Sequence, residues 1–184
     1  MPELTSTDFA WDGFWKAAVR LPTWQGFQSR RGPYGSKDTG HPSDGSAALI
    51  FAPEGRDESP LTDSELRLAR WAVQHAREMQ SSLLERLLSE YPAIQKKYRG
   101  FAQVDDLPPV RSSHDFKGII GLHGVNVHPI DHQGLPYVGL EFGCSWDREH
   151  GLGVLMHGTR VVEIGGADTA ILLWIAEKDA GIES

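Results

Sequence analysis

Between residues 125 and 164 apolar side chains alternate with others in separate short runs, whereas from 66 to 88 they stand at helical intervals. That change of period limits the fold more than any other feature of the chain. A period-two stripe packs from a strand, and a period-3.6 stripe packs from a helix. Val125 and Val127 alternate with Asn126 and His128. Val138, Leu140, Phe142, Cys144 and Trp146 alternate with Tyr137, Gly139, Glu141, Gly143 and Ser145. Leu152, Val154 and Met156 alternate with Gly153, Leu155 and His157, and Arg160 to Ile164 returns after the two-residue turn Gly158-Thr159. The pattern predicts four antiparallel strands, the last two a hairpin whose turn begins on glycine. Asp168 or Thr169 can cap a final short helix, Ala170 to Ala176.

The helical stretch carries its own start signal. Thr62-Asp63-Ser64-Glu65 is a capping box, in which the threonine hydroxyl and the glutamate each satisfy a free amide. Leu61 and Leu66 flank it as a hydrophobic staple. Leu66, Ala69, Val73, Ala76, Leu83, Leu84, Leu87 and Leu88 then mark one face of a helix from 62 to about 99, broken near Tyr91-Pro92 and ended by Tyr98-Arg99-Gly100. Upstream, Trp11-Asp12-Gly13-Phe14 and Trp24-Gln25-Gly26-Phe27 echo each other, so Phe14 to Arg20 and Trp24 to Ser29 read as an N-terminal hairpin turned at Leu21-Pro22-Thr23. Ala47 to Ala52 is a further short strand, turned off by Pro53-Glu54-Gly55. Residues 34–46, 53–61 and 104–115 read as exposed loops. The expectation is a single α+β domain, 1–184, in which an antiparallel sheet (the N-terminal hairpin plus the C-terminal four-strand meander) packs on one long helix.

Composition narrows the function classes. A net charge of −7 argues against nucleic acid, which requires clustered lysine and arginine, and would steer in a basic protein partner. No run approaches the roughly 18 apolar residues that cross a bilayer, and the N-terminus lacks the basic and apolar regions of a secretory signal. Cys144 is the only cysteine, which excludes an intrachain disulfide and fits a reducing cytoplasm. Cytoplasmic location is therefore expected, with no membrane partner and an oligomeric state left open.

The chemically richest stretch is Gly143-Cys144-Ser145-Trp146-Asp147-Arg148-Glu149-His150-Gly151. Asp147 suits a turn start, able to bind amides two residues on, and Gly151 suits a position of positive φ. Glu149 and His150 are left over. One reading makes the Trp146, Asp147, Glu149, His150, Gly151 loop structural, with Trp146 buried and Glu149 or His150 bridging to a neighbouring strand or to the Trp24 region. The other makes it chemical. Six of the eight histidines lie between residues 114 and 157, and alternation puts His128, Glu141, Glu163 and His157 on one sheet face with His150 at the rim. His128, Glu141, His150 and His157 could ligate zinc or a similar ion. No H-E-x-x-H, cysteine pair or short fixed spacing supports that set. Ser145 lies outside a G-x-S-x-G elbow, Cys144 falls on the apolar face, and Gly165-Gly166-Ala167-Asp168 lacks the lysine of a phosphate loop. No catalytic residues and no cofactor are therefore assigned.

Leu135-Pro136-Tyr137-Val138-Gly139, then Trp146-Asp147-x-Glu149-His150-Gly151-Leu152-Gly153-Val154 and Gly158 to Thr169, resemble a bacterial family described only as a domain of unknown function. Trp11 to Phe14, Trp24 to Phe27 and Gly55 to Leu61 extend the resemblance over nearly the whole chain. Related W-D-x-E-H-G domains occur among immunity proteins of bacterial toxin systems. The resemblance thus implies a non-enzymatic module that binds another protein, such as a basic toxin. The aromatics Trp11, Phe14, Trp24 and Phe27 could contact that partner, although most of them suit a core better. The alternative is a metal-binding protein or metal-dependent hydrolase using the histidine and glutamate set.

Overall fold

The computed structural model describes residues 4–182 apart from positions 31, 33, 36, 39, 40, 55 and 101–105, so parts of the expected loops lie outside the described residues. Its centre is a seven-stranded sheet in the order β1-β2-β5-β6-β7-β8-β9, formed by β1 (Ala10–Trp11), β2 (Trp15–Arg20), β5 (Ser46–Phe51), β6 (Ile120–His132), β7 (Leu135–Cys144), β8 (Leu152–His157) and β9 (Arg160–Gly165). β3 (Ser29–Arg30) and β4 (Lys37–Asp38) make a separate two-stranded arm. The four C-terminal strands run antiparallel in chain order, as the alternation predicts.

The rest of the sheet departs from expectation. β2 pairs with β1 and β5, not with residues 24–29, and β5 runs parallel to β6. The proposed hairpin fails because Pro22 opens a tight 3-10 turn, Pro22–Trp24, which swings Trp24 into the core. Leu21 N then donates to Gly45 O (2.7 Å), handing the register to the chain entering β5. A parallel pair needs a long crossover, and the crossover here contains both long helices, α1 (Asp63–Gln74) and α2 (Ala76–Tyr98).

The expected single helix is therefore two. The Thr62–Glu65 capping box forms as read, with Thr62 N donating to Glu65 Oε2 at 2.7 Å and Glu65 N to the Thr62 hydroxyl at 3.3 Å. The break falls at His75 (φ −101°, ψ 18°), whose ring stacks on Trp71 and whose Nδ1 donates to the Trp71 carbonyl at 2.9 Å. Pro92 sits inside α2 instead of breaking it. The turns around it are held from outside: Tyr91 Oη and Gln95 Nε2 both donate to Pro108 O, at 3.0 and 3.3 Å, which offsets the one intrahelical bond proline forfeits.

Both helices cover the first face of the sheet. Leu66, Ala69, Met79, Leu83 and Leu87 meet Leu49, Phe51, Val127, Leu140 and Val154 in one core, where each fully buried aliphatic side chain contributes about 1.5–3 kcal/mol. Arg56 pins the loop before α1 by a bidentate pair with Glu65 (2.8 and 3.0 Å), so residues 56–61 are anchored, and Leu61 is buried.

The second face is crossed directly by backbone. A Cβ on Gly139 would stand 2.5 Å from the Ala170 carbonyl carbon and nearer still to its oxygen; one on Gly153 would stand 2.9 Å from Ala167 O. Gly121 lies equally close beneath Gln28. Glycine floors these strands because two segments lie across them: residues 28–30 at one end and residues 166–180 at the other. The final helix, α3 (Leu173–Ala180), starts later than Asp168 or Thr169 would place it. Ala167–Ala170 is a 3-10 turn, and Glu54 Oε2 accepts from Leu173 N (2.7 Å), so a residue distant in sequence serves the first amide of α3. Ile175 and Ala176 pack on Tyr137 and Leu155 in a second, smaller core. Among the described residues no helix is long and apolar enough to cross a membrane.

Candidate functional site

The W-D-x-E-H-G loop joins β7 to β8. Trp146 is buried, edge-on to Tyr91 with ring centroids 5.9 Å apart. Asp147 holds the turn shut. Its carboxylate accepts from His150 N (2.9 Å), His150 Nδ1 (3.0 Å) and Tyr98 Oη (2.7 Å), and its carbonyl accepts from Gly151 N (3.0 Å). The amide it binds lies three residues on, not two. Burial opposes the Asp147 charge, but the bonds from Tyr98 and His150 outweigh it, and its pKa falls below the usual carboxylate value. Tyr98, half-buried and facing that carboxylate, is pushed the other way. Gly151 takes φ 64°, as its position demands.

His150 therefore bridges within its own loop and not to a neighbouring strand or the Trp24 region. Its side chain is 69% exposed, whereas its backbone carbonyl accepts from Ala167 N at 2.8 Å, tying the loop to the crossing segment. Glu149 is exposed and takes no polar contact among the described residues. Cys144 is buried; burial pushes its thiol up to about 12, and its sulfur donates to Asp147 O at 3.4 Å. No nucleophile–base pair with His150 forms.

The register does place His128, Glu141, His157 and Glu163 on the second face, as expected, but it keeps them apart. Glu141 pairs with Gly124, four residues along β6 from His128, which is roughly 13 Å of strand. Tyr137 pairs with His157 and stacks on it (4.6 Å), standing on the strand between His157 and β6. His157 Nε2 donates to His132 O (2.9 Å), and His150 lies at the loop. Among the described residues no three His, Cys, Asp or Glu side chains converge to hold a metal ion.

Two buried polar atoms on this face lack partners among the described residues: Asn126 Oδ1 and His128 Nδ1. Asn126 Nδ2 reaches Glu141 Oε2 at 3.5 Å, and Glu141, half-buried, is raised in pKa by burial. His128 is 0% exposed; its Nε2 donates to Ala170 O (3.3 Å), and burial holds its pKa at about 4. Beside this buried patch the same face opens into a groove of about 920 Å³ over β2, β5 and the start of β6. Its floor is Ala18 and Ala48, and its walls carry Lys16, Arg30, His41 and His123 together with Asp8 and Asp44. His123 reaches it because a bulge inserts that residue between the Leu122 and Gly124 pairings.

Of the four candidate contact aromatics, Trp24 (1% exposed) and Phe27 (2%) pack with Phe142 inside the core, while Trp11 and Phe14 are half-exposed at the sheet edge. Sequence reasoning missed the groove and the roles of Tyr98 and Glu54. The alternating glycines of β7 and β8 were a signal for the crossing segments, since glycine inside a strand often marks close backbone approach.

Fold and site together define a mixed α/β protein with one sheet face sealed by helices and the other crossed by two segments beside an open groove. Residues 40–172 match a family described as a domain of unknown function, DUF6985, and the chain belongs to that family. The match takes in α1, α2, β5 to β9 and the loop at 146–151; β1 to β4 and α3 lie outside it. No curated protein and no solved structure matches the chain.

Proposed function

We propose that this chain is a non-enzymatic, acidic protein-binding module of the bacterial cytoplasm, of the immunity type that neutralises a toxin, and that its partner is a basic protein seated in the groove over β2 and β5. The groove carries the reading. It is large and open, it is floored by small side chains, and its walls mix both charge signs, so a protein surface can be recognised there without any reacting group. Asp147 and His150 of the W-D-x-E-H-G loop are engaged in structural bonds, and Cys144 and His128 are buried. The net charge of −7 would speed encounter with a basic partner.

The test is affinity capture from the native bacterium at physiological salt, with Ala48→Arg as the comparison, since that arginine would fill the groove floor while leaving the helix-covered core intact. One basic protein retained by the natural chain and lost by the variant is the expected result. Equal retention by both, or a chain that stays alone at physiological concentration, contradicts the proposal.

A further inference from the structure

We infer that residues 166–182 form an acid-released cover on the second face of the sheet, with His128 as its trigger; this does not depend on the proposed partner. The segment is held at two anchors, and a histidine sits under each. At the first, His128 Nε2 faces the Ala170 carbonyl, which can only accept, so Nε2 carries the hydrogen and Nδ1 is a bare lone pair. That lone pair is buried and has no partner among the described residues. The charged group facing His128 is Glu54, whose carboxylate already accepts from Leu173 N at 2.7 Å; Tyr137 flanks it from β7. At the second anchor, Asp179 of α3 accepts from Tyr137 Oη (2.8 Å) and Arg160 Nη2 (2.5 Å). His157 lies beneath, its Nε2 on His132 O and its Nδ1 3.4 Å from Arg160 Nη2.

Acid disfavours the first anchor. A proton on His128 Nδ1 puts a cation where water does not reach, and Glu54 can follow it only by leaving the first amide of α3. Lifting the segment relieves this by exposing the His128 ring. His128 titrates at about 4 while covered and near 6.5 once uncovered, so the opening equilibrium of the segment rises by about 60-fold between pH 7 and pH 4.5. The glycine floor makes separate lifting feasible, because the contact at Gly139 and Gly153 is backbone lying on backbone without interlocking side chains.

The experiment is amide hydrogen exchange by NMR at pH 7, 5.5 and 4.5, read as protection factors, alongside the ring-carbon titration of His128. In the natural chain the Leu173–Ala180 amides should start less protected than those of Leu83 and Leu87 in α2. They should lose about 60-fold more by pH 4.5, in step with His128 protonation. His128→Gln should reduce that loss to a few-fold. If that variant does not fold, the coincidence of ring titration and protection loss in the natural chain decides alone. Protection in α3 that stays within threefold, that equals that of α2 at every pH, that falls without the His128 ring titrating, or that falls equally in His128→Gln would overturn the inference.

Discussion

Gly139→Ala tests how the second face is built. The added methyl would stand 2.5 Å from the Ala170 carbonyl carbon and 2.7 Å from its Cα. Both atoms are backbone, so no rotamer change relieves the clash, and the segment must lift by more than an ångström. Lifting strains the bond from His128 to Ala170 O and the one from Leu173 N to Glu54, and it loosens Ile175 and Ala176 on Tyr137 and Leu155. Overpacking of this kind costs about 1–3 kcal/mol and occasionally more, and a backbone clash belongs at the upper end. The smaller unfolded-state entropy of alanine returns roughly 0.4–1 kcal/mol. A net loss of about 2–3 kcal/mol is expected, read as a shift of the urea midpoint by circular dichroism, with exchange in α3 accelerated most. Gly118→Ala is the control, since nothing lies within 4 Å of its added methyl. A Gly139→Ala chain as stable as the control would refute the close crossing.

Gln133 (φ 54°) and Gly134 (φ 77°) form the two-residue turn between β6 and β7, both in the left-handed region. Gln133→Asn should therefore stabilise the chain by about 0.5–1 kcal/mol, seen as a higher urea midpoint. Asp147, Asp179 and Glu65 each resist burial through hydrogen bonds that leave their pKa values below normal. Their stabilisation is thus complete above the unfolded value near 4 and fades as pH falls through the lower folded values, so the urea midpoint should drop as the pH is taken below about 4. A midpoint that does not fall with acidification below about pH 4 would contradict the bonding described.

Legibility in the sequence followed the range of the interactions. The capping box at Thr62 and the four alternating strands were readable because their signals are local. The parallel pairing of β5 with β6 was not, because it joins residues more than seventy positions apart and leaves no periodic trace. The helix break moved from Pro92 to His75 because Tyr91 and Gln95 reach outward to Pro108, a tertiary support invisible in the helix itself. At the W-D-x-E-H-G loop the turn chemistry of Asp147 and Gly151 was legible, whereas Tyr98, supplied from the end of α2, was not. The shared face of His128, Glu141 and His157 followed from alternation, yet alternation says nothing of spacing along the strands, and spacing separates them.

Asp147 closes the loop while Glu149 and His150 contribute little, and the measurement that decides this is a urea-denaturation comparison of Asp147→Ala, His150→Ala and Glu149→Gln. Asp147→Ala removes hydrogen bonds from Tyr98 and the His150 amide to a buried carboxylate, so a loss of about 3 kcal/mol is predicted. His150→Ala, at an exposed ring, should cost less than about 1 kcal/mol, and Glu149→Gln should leave the midpoint unchanged. A neutral Asp147→Ala, or a His150 or Glu149 variant that costs as much as it, would contradict the account.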